Sequence, residues 1–82
     1  MSFYVYMLKS TRKKPLTYVG YTKDIKKRIK LHNNGKGAKF TRGRKWTLIY
    51  KEKFLSKSEA ISREYYIKKN RTLRDKIKKK YK

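Results

Sequence analysis

The stretch from Phe3 to Thr22, FYVYMLKSTRKKPLTYVGYT, decides how this chain folds. Phe3 to Leu8 is aromatic and β-branched, Lys9 to Pro15 is polar and basic with a proline at its end, and Leu16 to Thr22 again reads as a strand. Two such runs joined by a short connection predict a hairpin. Alternate residues of a strand share a face, so Tyr4, Tyr6 and Leu8 are expected on one side of the first strand and Phe3, Val5 and Met7 on the other. Tyr18 and Gly20 likewise share a face. Pairing brings the Tyr6 and Tyr18 hydroxyls over one patch of sheet, where Gly20 leaves backbone room for something bulky, such as a phosphate.

Working outward, Asp24 is placed to cap a helix that runs to about Asn33, where Asn33-Asn34-Gly35 and then Gly37 supply stop signals. At about 100° per residue, Ile25, Ile29 and His32 form a stripe with Arg28 on its flank, one turn from His32. Residues 35–45 are dense in Lys36, Lys39, Arg42, Arg44 and Lys45, with Phe40 among them, and read as a basic, nucleic-acid-binding loop over the tyrosine patch. Trp46 to Phe54 predicts a third strand, with Trp46, Leu48 and Tyr50 on one side and Ile49 on the other. Ser56 and Glu59 form an S-x-x-E capping box that opens a second helix, and Thr72 with Asp75 repeats the spacing for a third. Asn70 and Arg71 separate the two. The third helix puts Leu73, Ile77 and Tyr81 on one face, and from about residue 76 the rest is a lysine-rich end of Lys76, Lys78, Lys79, Lys80 and Lys82. The expected fold is one α/β domain of the α+β type over residues 1–82, a small three-stranded antiparallel sheet flanked by about three helices.

Composition narrows the function. At 82 residues the chain has room for one core, with roughly 60% of its surface buried on folding. Cysteine is absent, so neither disulfides nor thiolate zinc sites hold the fold. No apolar run approaches the ~20 residues of a membrane helix, and Met1 leads straight into strand-like sequence without a signal-peptide hydrophobic region. A cytoplasmic protein that does not enter a membrane is expected. Against five acids stand 27 lysines and arginines, a formal charge of +22. Such a surface repels itself unless polyanions screen it, which points to nucleic acid as partner.

The five acids sort by the work local structure gives them. Asp24, Glu59 and Asp75 sit where helix starts favour negative charge, and Glu52 lies in a strand with lysine neighbours to pair with. Glu64 has no such local role. On the second helix it falls about 40° from Ala60 and about 60° from Ile61 and Ile67, inside the apolar arc. A carboxylate facing the sheet requires a cation close by, because burying it alone costs several kcal/mol. That cation is Arg28, Lys68 or a divalent metal.

Taken together, Tyr4-Val5-Tyr6, Tyr18-Val19-Gly20, Arg28-x-x-x-His32 and Glu64, in that order, resemble the signature of the GIY-YIG nuclease family, in its small single-domain branch. The first triplet departs from Gly-Ile-Tyr, but its last tyrosine is kept. The resemblance implies a metal-dependent endonuclease that hydrolyses phosphodiester bonds by a one-metal mechanism, with Tyr6, Tyr18, Arg28, His32 and Glu64 catalytic. Tyr6 or His32 would take the proton of the attacking water, Tyr18 would orient water or phosphate, Arg28 would brace the phosphate, and Glu64 would hold the metal. Mg²⁺ is the expected ion and Mn²⁺ the substitute, since a hard cation needs only one or two carboxylates and fills its shell with water and phosphate oxygens. A tyrosine base at neutral pH requires neighbouring cations to favour the phenolate, which this chain holds in excess. DNA, branched or damaged, is the expected substrate ahead of RNA. Because many members attach a further domain for specificity, the resemblance implies that a bare module binds weakly, acts on an unusual substrate, depends on a partner protein for specificity, or keeps the fold without the activity. The competing expectation is a non-catalytic nucleic-acid-binding module or a ribosome-associated basic protein that keeps the fold.

Overall fold

The computed structural model describes residues 2–11 and 14–81, with the side chain of Tyr81 left aside. The placement of Tyr81 on the apolar face, of Lys82 in the basic end, and of Arg12 and Lys13 in the hairpin connection lies outside the described residues. Elements follow in the order β1 Phe3–Ser10, β2 Thr17–Thr22, α1 Ile25–Asn33, β3 Trp46–Phe54, α2 Lys57–Lys69 and α3 Arg71–Tyr81, with a single 3-10 turn at Lys39–Thr41 before β3. The sheet order is β2-β1-β3, antiparallel throughout, so the expected α+β domain with three strands and three helices is the one observed. Among the described residues no helix is long and apolar enough to cross a membrane.

β1 is the central strand, and its unbroken run Val5-Tyr6-Met7-Leu8 is buried on both faces. Val5 and Met7 pack with Val19 of β2 and with Ala60 and Ile67 of α2, while Leu73 and Ile77 of α3 close the same side. Tyr6 and Leu8 pack with Trp46 on the opposite side, under Ile25 and Ile29 of α1. The alternation expected for β1 is therefore what separates the two cores.

β3 departs from the expected alternation. Met7 pairs with Tyr50 but Leu8 pairs with Leu48, which leaves Ile49 as an extra residue on β3. One inserted residue shifts the side-chain phase by one position. Trp46 and Leu48 thus lie with Tyr6, whereas Tyr50 crosses to join Ile49 against the Val5 core, contrary to the grouping of Trp46, Leu48 and Tyr50 on one face.

The helix starts are held by local side chains. Asp24 accepts from Lys27 N at 3.1 Å, and Ser56 accepts from Glu59 N at 3.2 Å while donating to the Glu59 carboxylate at 3.0 Å. Thr72 and Asp75 do not open α3. Asn70 does, its side chain accepting from Leu73 N at 3.0 Å, because the helix begins two residues earlier than a Thr72 cap allows. Asp75 instead lies 3.9 Å from Lys78. Glu52 does not pair with strand lysines either; Arg63 of α2 reaches it at 2.9 Å and Tyr50 donates to it at 2.9 Å, tying α2 to β3.

Candidate active site

A cleft of about 490 Å³ opens where β1, β2, α1 and α2 meet. Tyr6, Tyr18, Arg28 and Glu64 all line it. His32, the remaining expected residue, is fully buried behind Tyr6 and does not line the cleft, because α1 lays it on the apolar face of the sheet. The structure thus brings four of the expected residues to one wall and sets the fifth directly behind it.

Register makes the tyrosine pair. Tyr6 stands opposite Gly20 and Leu8 opposite Tyr18, so the two tyrosines are diagonal neighbours with ring centroids 6.4 Å apart. A Cβ built on Gly20 would fall 2.6 Å from the Tyr6 hydroxyl and 3.1 Å from the Tyr18 ring. The room left by Gly20 is therefore taken by the phenol of Tyr6, where a phosphate was expected.

Behind Tyr6 runs a directed chain of hydrogen bonds. The Tyr6 hydroxyl lies 2.9 Å from His32 Nε2, and His32 Nδ1 lies 2.9 Å from Thr41 Oγ1. Thr41 has one hydroxyl proton and gives it to the carbonyl of Ala38 at 2.9 Å, so its oxygen accepts the Nδ1–H of His32. Nε2 is then the bare nitrogen, and Tyr6 donates to it. Gly37 permits this packing, since a Cβ there would lie 2.4 Å from His32 Nδ1. Thr41 is fully buried, and its carbonyl accepts from Trp46 Nε1 at 2.9 Å.

Electrostatics place the proton capacity on His32. Burial pushes Tyr6 well above the usual tyrosine range, with Tyr18 and Glu64 adding to the rise and Arg28 opposing it. Burial likewise raises Tyr18, helped by Glu64 and opposed by Arg28. The expected surplus of cations does not lower these phenols, because desolvation outweighs the one guanidinium acting on them. Burial, and then Arg28, lower His32 below its ordinary 6.5, so the ring is neutral at physiological pH and free to accept a proton.

Glu64 has 17% of its side chain exposed and lies 3.7 Å from Lys68, one turn along α2. Lys68 is half exposed, and such a pair contributes only tenths of a kcal/mol. Among the described residues no ion pair joins Glu64 to Arg28. Ala60 and Ile67 hold the inner face of α2, whereas Ile61, expected in the same arc, is exposed. Among the described residues no three His, Cys, Asp or Glu side chains cluster to hold a metal. What the cleft offers is one half-buried carboxylate beside two phenol oxygens, a donor set that suits a hard divalent cation completing its shell from water and phosphate.

The basic loop meets the site differently from expectation. Lys36, Lys39, Arg42 and Lys45 are exposed and Arg44 is half-buried, yet none of the five lines the cleft. The cations that do are Arg28, Lys23 and Lys57. The loop's contribution is made by its uncharged residues, Thr41 behind the site and Phe40 stacked on Tyr18 at 6.2 Å and 24°. Thr41 carries no motif, and the one hint to it is a hydroxyl standing in a run of lysines and arginines.

The family model described as the GIY-YIG catalytic domain matches residues 2–81, and the chain belongs to that family, which is of nuclease type and engages nucleic acid. More narrowly, its relatives are UPF0213 proteins. One from Clostridium perfringens is 58% identical over 67 residues, covering 80% of this chain and 70% of its own length. Another, from Staphylococcus saprophyticus, is 53% identical over 66 residues, covering 79% and 78%. The solution NMR structure of a UPF0213 protein from Bacillus halodurans is 43% identical with a TM-score of 0.57, covering 94% of this chain and 82% of that one.

Proposed function

We propose that the chain is a metal-dependent endonuclease that hydrolyses phosphodiester bonds, with DNA as the favoured substrate and a cytoplasmic place of action. The observation that carries this reading is the directed path from the Tyr6 hydroxyl through His32 to Thr41, opening onto a cleft that also holds Arg28 and Glu64. The neutral His32 can take a proton from the cleft-lining phenol, which is what a base relay requires.

In this mechanism a water attacks the phosphorus and loses its proton to the Tyr6 oxygen as Tyr6 passes its own to His32 Nε2. No free phenolate forms, which suits the high proton affinity of Tyr6. Tyr18, over the ring of His32 at 4.9 Å, positions the water or the phosphate. Arg28 meets the charge that grows on the non-bridging oxygens. The bond to the 3′ oxygen breaks and that oxygen takes a proton from solvent in the cleft, giving a 5′-phosphate and a 3′-hydroxyl, while His32 releases its proton to solvent through Tyr6. Glu64, with the phenol oxygens near it, is the residue that would hold Mg²⁺ or Mn²⁺, and the ion when bound supplies charge neutralisation at the leaving oxygen.

The test is nicking of supercoiled and branched DNA with Mg²⁺ or Mn²⁺. Glu64→Gln is expected to abolish cleavage, and Arg28→Ala to lower it about 10²- to 10³-fold, with binding retained in both. A parent protein that binds DNA but cuts no DNA or RNA form in either metal overturns the reading in favour of a binding module. A partner protein that supplies specificity is part of the proposal, testable by whether cleavage of a single defined substrate needs added cell extract.

A further inference from the structure

Beside the cleft, and sharing Tyr18 with it, lies a second hollow of about 290 Å³ lined by Thr17, Tyr18, Val19, Phe40, Lys68 and Arg74. Phe40 is 54% exposed although it is stacked on Tyr18, so a large aromatic surface borders this hollow and faces solvent. Its placement is not loose. Phe40 precedes Thr41, which is pinned between His32 and Trp46, and Phe40 lies 6.2 Å from the Trp46 ring as well. The cations on the other side are also held: Arg74 donates to the carbonyl of Ile67 at 2.9 Å and to that of Lys68, and Lys68 lies within 3.7 Å of Glu64. An aromatic face opposed by two cations is the combination that grips one nucleotide, base on ring and phosphate on charge.

Among the described residues the other exposed aromatics lack this arrangement. Tyr65 and Tyr66 on α2 are each covered by a cation, Lys69 at 5.2 Å and Arg63 at 5.3 Å, and neither lines the cleft or the hollow.

We infer that the hollow is a nucleotide subsite in which an unpaired base stacks on Phe40 while Lys68 and Arg74 contact the adjoining phosphate, next to the phosphate that is cut. The inference rests on the nuclease reading for what it calls the cut phosphate, but the subsite itself is defined by binding alone. A base inside an intact duplex is stacked on its neighbours and cannot reach Phe40, so the subsite selects nucleic acid that is single-stranded, frayed or flipped at this position.

The experiment measures binding by fluorescence anisotropy in the presence of chelator, so that metal-dependent cleavage plays no part and the pairing of Lys68 with Glu64 is kept. The probes are a labelled oligothymidylate, the same oligonucleotide made of abasic units, and a duplex of equal length. Phe40→Ala is expected to weaken oligothymidylate binding by about 5- to 100-fold and to leave the abasic and duplex probes within about twofold. Phe40→Trp should restore it. Circular dichroism of Phe40→Ala should overlay that of the parent, as the ring is exposed. Equal losses on all three probes, no loss on oligothymidylate, or failure of tryptophan to rescue would overturn the subsite. Oligothymidylate binding that does not depend on Phe40, in a parent protein that cuts, sinks this inference alone, whereas Phe40-dependent binding in a parent that never cuts sinks only the nuclease reading.

Discussion

At the scale of single residues, the site depends on atoms that leave no room for additions. Gly20→Ala places a methyl group 2.6 Å from the Tyr6 hydroxyl, so the phenol must leave His32. The expected outcome is a loss of about 1–3 kcal/mol in thermal denaturation together with loss of nicking. Thr41→Val strips His32 Nδ1 of its acceptor in a fully buried place, and should cost about 1–3 kcal/mol by the same measurement. The lowered proton affinity of His32 also fixes a pH dependence. In the unfolded chain His32 takes a proton near 6.5 and in the fold only at lower pH, so the unfolded state binds more protons between the two. The stability this histidine contributes is therefore complete above pH 6.5 and declines as pH falls toward its folded value, and the acid limb of kcat/KM should lie below 6.5, both readable from pH titrations of unfolding and of nicking. Tyr6, Tyr18, Arg28, His32 and Glu64 were legible in the sequence as an ordered set; Thr41 and the role of Gly37 were not, because a hydrogen bond nine positions apart through a loop has no periodicity to betray it.

At the scale of elements, most local signals were legible, and the exact residue count across a strand pairing was not. The caps at Asp24 and Ser56 form within three residues, so spacing alone reveals them. The third cap shows the limit. Thr72 and Asp75 have the right spacing, but α3 begins at Arg71 and Asn70 closes its first turn, with Asn70 N also donating to Ile67 O at 3.2 Å. Asn70→Ala is accordingly expected to lower stability by about 1 kcal/mol and Thr72→Ala to leave it nearly unchanged, compared by chemical denaturation. The extra residue at Ile49 is invisible locally for a related reason: the alternation of Trp46 to Phe54 looks regular until it is aligned against β1.

At the scale of the whole molecule, the +22 charge and the inward packing of α2 set behaviour that no single site controls. Binding to nucleic acid should weaken linearly in log affinity against log salt, by about 0.9 per phosphate contact on duplex and about 0.7 on single strands, as measured by anisotropy across a salt series. Ile67, fully buried beneath the same helix that carries Glu64, joins stability to the site. Ile67→Ala should cost about 2–5 kcal/mol and reduce cleavage in parallel with the folded fraction, followed by thermal melts and nicking on the same samples. The partner class was readable from the summed charge of the chain, whereas the fold class and the family resemblance were readable from local patterns and an ordered set of single residues.

The irregularity in β3 reaches further than its own strand. By advancing the chain one place, Ile49 turns Trp46 inward, and there its indole N–H holds the carbonyl of Thr41 while its backbone N–H is received by Asn33 Oδ1 at 2.6 Å. Were β3 to run without the bulge, with Ile49 opposite Leu8, Trp46 would fall on the far side of the sheet and the clasp on the loop would be lost, unseating the histidine's anchor and the Phe40 ring in one stroke. A miscount of one amino acid on the edge strand farthest from β2 is thus the alignment pin of the proton path.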